Sequence, residues 1–246
     1  MFEDLNGKIG VITGSSGRLG RVFADSLSAR NRVYCFDIQH TDPNTNDSSL
    51  FRNVDITSES AVTRACDGII ATEGRIDFLI NNAALQITRP FETMTVEDFG
   101  RSLDVNLKAA YICIRAVTSS MIARKSGNIV NIGSMYGVVS ADPNLYGGSG
   151  LNSPDAYAAS KGGLIHLTRY LAVNLARYNI RVNALSPSGV FNNQSTEFLD
   201  RYLPRCPLGR MLNREELVGP LHFLLSDASS YITGHNLIVD GGFTIV

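Results

Sequence analysis

The sequence predicts an α/β fold in which helices flank a doubly wound, mostly parallel sheet. Three observations support this prediction. Six or seven short apolar segments, rich in β-branched residues, alternate with longer segments of helical period. A glycine-rich turn follows the first apolar segment. No shift in composition marks a linker and the sequence contains no internal repeat, so we expect one domain over residues 1–246.

The composition is that of an ordinary globular protein and excludes several function classes. The chain is 44% hydrophobic and 18% charged, with a net charge of −1, which gives no electrostatic signal for nucleic acid. The apolar runs are too short to span a bilayer, and the N-terminus lacks a signal-peptide pattern. The four cysteines and four histidines show no metal or redox spacing. We expect a cytoplasmic protein that binds no nucleic acid, membrane or metal.

The first strand and helix, residues 8–13 and 19–30, enclose the glycine turn. Glycines at such a turn let the backbone approach a pyrophosphate, which then lies at a helix N-terminus. The same turn would also serve as a tight connection without a ligand. Under the dinucleotide interpretation, the contacting residues are Gly14, Ser16, Gly17, Arg18 and Leu19.

The second strand, residues 32–36, ends in Asp37, 17 positions after Gly20. A carboxylate at this place accepts both hydroxyls of an adenosine ribose and repels a 2′-phosphate, which favours NAD over NADP. Arg18 is the opposing signal, because its guanidinium could pair with that phosphate. A solvated residue at the helix start is the alternative interpretation of Arg18.

The next two strands, residues 51–54 and 77–80, are each followed by candidate cofactor residues. Ligands of parallel sheets bind at the carboxyl ends of strands. We therefore place Asp55 and Ile56 on the adenine side and expect small residues after the second strand to leave space for a cofactor. That second group is Asn82, Ala83 and Ala84. A simple strand-to-loop turn is the alternative for them.

Helices are expected over residues 58–73 and 96–124, and the second contains Asn106. Asparagine inside a helix lowers its stability, so we expect this side chain to hydrogen-bond a water or a backbone group in the site. A strand over residues 128–132 then leads to Ser134. Beyond it, a helix at 155–178, a strand at 181–185, a short helix at 196–202, a helix at 214–225 and a strand at 236–239 complete the chain.

Two long irregular segments, residues 135–154 and 187–213, interrupt the second half. Long loops inside compact domains are usually functional, so we expect both to contact substrate and the second to act as a lid.

Tyr157 and Lys161 lie four residues apart on the helix that begins at residue 155, and so share one of its faces. Tyrosine ordinarily loses its proton near pH 10. An ammonium about 4 Å away, at an effective dielectric constant near 20, would contribute about 4 kcal/mol toward lowering that pKa by roughly 3 units. We therefore expect an acid–base device, although such pairs also occur on solvated helices.

Together these residues resemble the short-chain dehydrogenase/reductase family over nearly the whole chain. The resemblance implies a Rossmann-type fold and hydride transfer between NAD(P) and a secondary alcohol or ketone. The matching positions are the glycine turn, Asp37, Asp55, residues 81–84, Asn106, Ser134, Tyr157, Lys161, Ser186, Pro187 and the Asp240-Gly241-Gly242 end.

The resemblance also implies a role for each site residue. Tyr157 would exchange a proton with the substrate oxygen, and Lys161 would lower its pKa and hold the nicotinamide ribose. Ser134 would hydrogen-bond the substrate oxygen, and Asn106 would fix a water in the proton relay. The nicotinamide would contact Pro187, Gly189 and Val190. Members commonly form homodimers or homotetramers through the helices that here contain Asn106 and Tyr157.

Several positions depart from the usual pattern of the shorter members. Arg18 replaces a glycine, and the turn resembles that of extended members acting on nucleotide sugars. Ser134 and Tyr157 are also about ten residues farther apart than usual. Ser188 replaces the glycine that usually follows Pro187, and Asn192 replaces a threonine that often helps hold the carboxamide.

Segment 186–199 and the 135–154 loop resemble members of bacterial surface-sugar and flagellin-glycan pathways. A sugar or sugar-derived molecule is therefore one candidate substrate. The polar side chains that would meet its hydroxyls are Asn144, Tyr146, Ser149, Asn152, Asn192, Asn193 and Gln194.

The leading function hypothesis is thus an NAD(P)-dependent oxidoreductase. A non-catalytic dinucleotide-binding sensor or scaffold is one alternative, favoured only by the changes at Ser188 and Asn192. A sugar-nucleotide epimerase or dehydratase with tightly bound NAD is another, favoured by the glycine turn and the loop spacing.

Overall fold

Seven strands form one parallel sheet in the order β3-β2-β1-β4-β5-β6-β7 in the computed structural model, which describes residues 2–39, 49–147 and 155–246. This confirms the predicted doubly wound α/β fold. The strands are β1 (Ile9–Thr13), β2 (Arg32–Asp37), β3 (Ser49–Asn53), β4 (Phe78–Asn81), β5 (Gly127–Ile132), β6 (Ile180–Pro187) and β7 (Asn236–Val239).

The strand order reverses beside β1, which pairs with β2 on one side and β4 on the other. Such a reversal opens a crevice outside the carboxyl ends of the two central strands, where ligands of open α/β sheets bind. The helices are α1 (Arg18–Ser28), α2 (Glu59–Glu73), α3 (Val96–Leu103), α4 (Ala109–Arg124), α5 (Asp155–Leu175), α6 (Thr196–Tyr202) and α7 (Val218–Leu225).

Helices cover both faces of the sheet, and each face has its own hydrophobic core. On one face, side chains of α2 and α4 such as Val62 and Val117 pack against the sheet. On the other face, Phe23 of α1 and Leu221 of α7 do the same. Because both faces are covered, the central strands β1 and β4 are buried along their whole length, which explains their continuous apolar sequence.

A third hydrophobic cluster lies beyond the carboxyl end of the sheet. It joins the segment after β5 to α6 and to the C-terminal segment, which are far apart in sequence. Its buried members are Met135, Leu145, Tyr202, Cys206, Met211 and Phe243. This cluster positions the two loop regions that flank the site.

A chain of buried amides ties α5 to the centre of the sheet. Asn81 Nδ2 donates to Asn131 Oδ1 (2.8 Å), and Asn131 Nδ2 donates to Thr168 Oγ1 (2.9 Å). The chain crosses from β4 through β5 to α5. It therefore fixes the helix that begins at Asp155 against the two strands beside the crevice.

Most predicted elements appear within two residues of their expected ends, and the short helix α6 has the expected bounds. The main difference lies within 96–124, where a π-helical turn over Asp104–Lys108 separates α3 from α4. Strand β6 also continues to Pro187, two residues farther than predicted. The predicted polar turn at 40–48 and the end of the loop at 148–154 lie outside the described residues.

None of the helices in the described part of the chain combines the length and the apolar character needed to cross a membrane. Within the same residues, no three histidine, cysteine, aspartate or glutamate side chains cluster so as to hold a metal ion. The four cysteines, Cys35, Cys66, Cys113 and Cys206, are buried.

Candidate active site

Two cavities meet at the carboxyl end of the sheet. One, of about 980 Å³, lies outside β1, β2 and β4. The other, of about 560 Å³, lies beside the start of α5 and beneath α6. Arg18, Leu19 and Gln86 line both cavities, so the two form one groove across the reversal point of the sheet.

The larger cavity collects the residues that the sequence predicts for the first part of a dinucleotide. They come from four separate segments, each at or just after the carboxyl end of a strand. The residues are Gly14, Ser16, Gly17, Arg18, Leu19, Asp37, Asp55, Ile56, Asn82, Ala83 and Ala84.

The glycine turn brings the start of α1 unusually close to the end of β1. Gly14 has a φ of +65°, and a Cβ on Gly20 would lie 2.0 Å from the Gly14 carbonyl oxygen. No side chain caps the helix at Gly17, its N-cap residue. The N-terminal end of α1 therefore faces the cavity with backbone N–H groups, which fits a pyrophosphate.

The Asp37 carboxylate has a structural role that the sequence did not reveal. Its Oδ2 accepts a hydrogen bond from the Ser16 N–H (2.9 Å), and its Oδ1 accepts one from the Gln39 N–H (3.2 Å). Asp37 thus braces the glycine turn while it lines the cavity. Asp55 similarly braces its own loop, because Oδ1 accepts from both the N–H and the hydroxyl of Thr57 (2.9 and 2.7 Å).

Asn82 fastens the end of β4 to the glycine turn. Its Nδ2 donates to the carbonyl oxygens of Thr13 and Gly14, both at 3.0 Å. The Thr13 hydroxyl oxygen in turn accepts from the N–H groups of Asn82 and Ala83, both at 3.1 Å. The small side chains that follow Asn82 therefore lie against the turn and form one wall of the cavity.

Asn106 hydrogen-bonds a backbone group, as predicted. Its Oδ1 accepts from the Leu85 N–H (2.7 Å), and its Nδ2 donates to the Leu85 carbonyl oxygen (3.0 Å) and to Ser160 Oγ (3.0 Å). The Ser160 hydroxyl donates onward to the Tyr157 carbonyl oxygen (2.7 Å). Asn106 lies in the π-helical turn over Asp104–Lys108, a kind of turn that is frequent at functional sites.

The smaller cavity contains the remaining predicted residues that face the groove. They are Ser134, Tyr157, Pro187, Gly189 and Val190. The Ser134 hydroxyl oxygen accepts from the Tyr136 N–H (3.2 Å) and lines this cavity together with the Tyr157 phenol. The structure therefore brings together the two side chains expected to contact the reacting oxygen.

Lys161 lies behind Tyr157, fully buried, instead of lining the groove. Its ammonium donates to the Ile132 carbonyl oxygen (2.6 Å) and lies 5.5 Å from the centre of the Tyr157 ring. Burial lowers the pKa of Lys161 from 10.5 to about 8.

The expectation that Lys161 lowers the pKa of Tyr157 is not met in this structure. Burial raises the pKa of the Tyr157 phenol above its ordinary value, and the Ser134 side chain opposes this only in part. The physical reason is desolvation, which disfavours the charged form of the fully buried Lys161 and of Tyr157, which is partly buried where it lines the cavity. Tyr157 is therefore a neutral phenol at physiological pH in this state.

Sequence reasoning did not single out several side chains of the smaller cavity as site residues. Gln86 follows the predicted Ala83–Ala84 segment, and Tyr136 follows Ser134. The others, Glu197, Phe198, Arg201 and Tyr202, come from α6. The prediction of a lid over 187–213 pointed toward α6. No local pattern in the sequence, however, tells which face of that helix meets the groove.

The polar loop residues proposed to meet sugar hydroxyls divide into three groups. Tyr146 and Gln194 line the smaller cavity. Asn192 and Asn193 are exposed and do not line it, and Asn144 borders a separate surface groove. The other two, Ser149 and Asn152, lie outside the described residues.

Known proteins resemble this chain over nearly its whole length. A family model described as enoyl-(acyl carrier protein) reductase matches residues 37–244. The NAD-dependent glycerol dehydrogenase of Listeria innocua serovar 6a is 30% identical, over 98% of this chain and 96% of that protein. A solved short-chain dehydrogenase from Leptospira borgpetersenii with bound NAD⁺ is 39% identical, with a TM-score of 0.91 over 97% of this chain and 93% of that one.

The chain belongs to the short-chain dehydrogenase/reductase family.

It is accordingly an oxidoreductase of a family that acts on CH–OH groups with a nicotinamide cofactor. Solved relatives differ in the cofactor they hold. A gluconate 5-dehydrogenase from Burkholderia cenocepacia, solved with NADP and tartrate, is 28% identical with a TM-score of 0.85, over 98% of this chain and 96% of that one.

The burial of Lys161 predicts a distinct pH dependence of stability. An unfolded chain holds this proton up to about pH 10.5, whereas the folded chain releases it near pH 8, so the contribution of Lys161 to stability rises with pH between these values. In urea unfolding, the stability of the wild type relative to Lys161→Met should increase by about 2 kcal/mol from pH 7.5 to 9.5.

The comparison with the variant is needed because buried cysteines act in the opposite direction. Burial raises the pKa of the Cys66 thiol to about 12, and also raises that of Cys113. The contribution of these thiols to the stability of the folded chain therefore falls as pH rises. Both remain in the variant and cancel in the difference. A constant difference across the pH range would contradict the desolvation of Lys161.

Proposed function

We propose that this short-chain dehydrogenase/reductase is an NAD-dependent enzyme that interconverts a secondary alcohol and a ketone on a polyhydroxylated small molecule. The observation that carries the proposal is the placement of Ser134 and Tyr157 together in the smaller cavity, at the end of the groove opposite Asp37. When bound, the nicotinamide would supply or take up the hydride.

In this proposal Tyr157 exchanges the proton. Tyr157 is a protonated phenol at neutral pH and can donate to a substrate carbonyl oxygen during reduction. The Ser134 hydroxyl, which lines the same cavity, would hydrogen-bond that oxygen. The pair therefore acts as one proton-donating and orienting unit.

Lys161 and Asn106 support that unit from behind. The Lys161 ammonium is held behind Tyr157 by its bond to the Ile132 carbonyl oxygen, so its proposed contact with the nicotinamide ribose requires the side chain to turn toward the groove when the cofactor binds. The Asn106 amide is engaged with Leu85 and Ser160, so we assign it to positioning these segments in place of the predicted role of holding a water.

The lining of the smaller cavity supports a polyhydroxylated substrate. Glu197 and Arg201 form an ion pair there (2.7 Å), beside the amide of Gln194. Tyr146 and Phe198 pack together with ring centres 5.8 Å apart, which offers an apolar face to the carbon skeleton. Relatives named for glycerol and gluconate are consistent with this substrate class.

Asp37 supports NAD over NADP, because a carboxylate at the end of β2 repels a 2′-phosphate. Arg18 is the opposing feature, and it lies at the junction of the two cavities.

We further propose that residues 1–246 act as one domain whose segments 135–154 and 187–213 contact substrate. A homodimer or homotetramer is also proposed. An apolar groove between α3–α4 and α5 supports it, with Tyr111 and Tyr170 exposed, and sedimentation equilibrium would test it.

The catalytic assignment predicts that Tyr157→Phe lowers the rate of NAD-linked turnover by about 10³-fold or more, because the proton-transfer group is lost. The assay follows reduced nicotinamide by absorbance with glycerol, sugar acids and simple secondary alcohols as substrates. Tyr231→Phe, at a fully exposed position, is the matched control and should keep wild-type turnover. Turnover that survives in Tyr157→Phe would refute the assignment.

The cofactor assignment predicts that Asp37→Asn shifts the ratio of NADH to NADPH affinity by about tenfold toward NADPH. Asparagine removes the charge but keeps an oxygen acceptor for the Ser16 N–H, so the glycine turn stays braced. Asp37→Ala loses both and should weaken the binding of both cofactors. Tighter binding of NADPH than NADH by the wild type, measured by fluorescence titration, would reverse the assignment.

A further inference from the structure

The turn that follows β6, residues 187–190, is held by one buried side chain from α6. Tyr202 is 1% exposed and contacts this turn through its phenol oxygen. The Gly189 N–H donates to that oxygen (3.0 Å), and the Ser188 side chain acts on the same phenol, whose pKa it lowers against the effect of burial. The Tyr202 phenol thus interacts with two successive residues of the turn.

The fit between Tyr202 and the turn is close. A Cβ on Gly189 would lie 2.9 Å from the Tyr202 oxygen and 2.9 Å from Cε of Met211. No side chain at this position would fit without a shift of the tyrosine. The close approach of Tyr202 therefore explains why residue 189 is a glycine.

The aromatic ring of Tyr202 is itself fixed from both sides. It stacks on Phe198 of α6 at 5.5 Å between ring centres and on Phe243 of the C-terminal segment at 5.1 Å. Phe198 lines the smaller cavity, where the substrate is proposed to bind. The ring therefore links the turn after β6, the substrate side of the cavity and the C-terminus.

This contact explains why serine occupies position 188, where a glycine was expected. A glycine would remove the side chain that acts on the Tyr202 phenol. The serine hydroxyl adds a polar interaction with that phenol, while the Ser188 N–H donates to the Val239 carbonyl oxygen of β7 (3.0 Å). The substitution is therefore matched to the tyrosine on α6.

We propose that Tyr202 is a positioning residue that, with Ser188, fixes turn 187–190 in the geometry that receives the nicotinamide half of the cofactor and ties that turn to α6 over the substrate. This inference rests on the proposed function, because it assigns the turn to nicotinamide. It adds a coupling between the cofactor turn and the substrate-side helix. Tyr202 acts through the turn and is not assigned contact with the reacting atoms.

The test compares two ligands that share the adenosine half and differ in the nicotinamide. Affinities for NADH and for ADP-ribose are measured by calorimetry on the full chain. Tyr202→Phe keeps the stacked ring but removes the oxygen, and should weaken NADH binding about fivefold to tenfold while ADP-ribose binding stays unchanged. Ser188→Ala, which leaves the ring and its packing intact, should weaken NADH binding about twofold to threefold.

Tyr34→Phe is the matched control for the loss of a buried phenol. The Tyr34 hydroxyl donates to Glu73 (2.6 Å) on the opposite side of the molecule from α6, and its removal should lower the melting temperature without changing either affinity. A double variant adds a second readout. In the Tyr202→Phe background, Ser188→Ala should have no further effect on NADH binding, because its hydroxyl has already lost its partner.

Wild-type affinity for NADH in both Tyr202→Phe and Ser188→Ala would overturn the inference. An equal loss of NADH and ADP-ribose binding in Tyr202→Phe would also overturn it, since that result indicates general destabilisation. A wild-type protein that binds neither NADH nor NADPH would instead refute the proposed function, and with it the basis of the inference.

Discussion

Helices cover both faces of the sheet, and the position of the site follows from this arrangement. It leaves the carboxyl ends of the strands as the place where a ligand reaches the central backbone. The strand order reverses at the paired strands β1 and β4, so the crevice forms outside their carboxyl ends, where Gly14 and Asn82 line it. Every residue assigned to the cofactor or the chemistry lies at this end of the sheet or is buried immediately behind it.

Desolvation sets the direction of the pKa shifts of Tyr157 and Lys161. A simple Coulomb estimate for Tyr157 and Lys161 predicts an acidic phenol, yet burial raises the pKa of Tyr157 and lowers that of Lys161 to about 8. The ammonium finds its partner in the Ile132 carbonyl oxygen, so its position is set by the backbone of β5. The chemistry begins from a neutral phenol, which suits proton donation.

Backbone hydrogen bonds explain why the site keeps its shape. Asn106 holds Leu85 and Ser160, Asn82 holds the glycine turn, and Asp37 holds Ser16. Each of these polar side chains joins segments that are distant in sequence. Burial makes such bonds costly to break, because a lost partner leaves an unsatisfied polar group. The groove is thus largely formed before a ligand enters it.

The sequence predicted the fold and the adenosine side of the groove because their signals are local. The glycine turn, Asp37 at a strand end and Tyr157 four residues before Lys161 are all patterns within one segment. The third hydrophobic cluster was not predicted, because Tyr202 meets Gly189 and Phe243 only through the tertiary fold. The π-helical turn at Asn106 was likewise hidden, since the sequence shows an unfavourable residue but not how the helix accommodates it. Desolvation of Tyr157 also depends on packing that no spacing reveals.

Hydrogen exchange of the backbone amides with and without NADH is the most direct measurement of whether the two cavities form one groove for one dinucleotide. NADH should slow exchange both in segment 14–20, at the start of α1, and in segment 187–190, at the end of β6. Protection confined to one of these two segments at saturating NADH would show that a single dinucleotide does not span the groove.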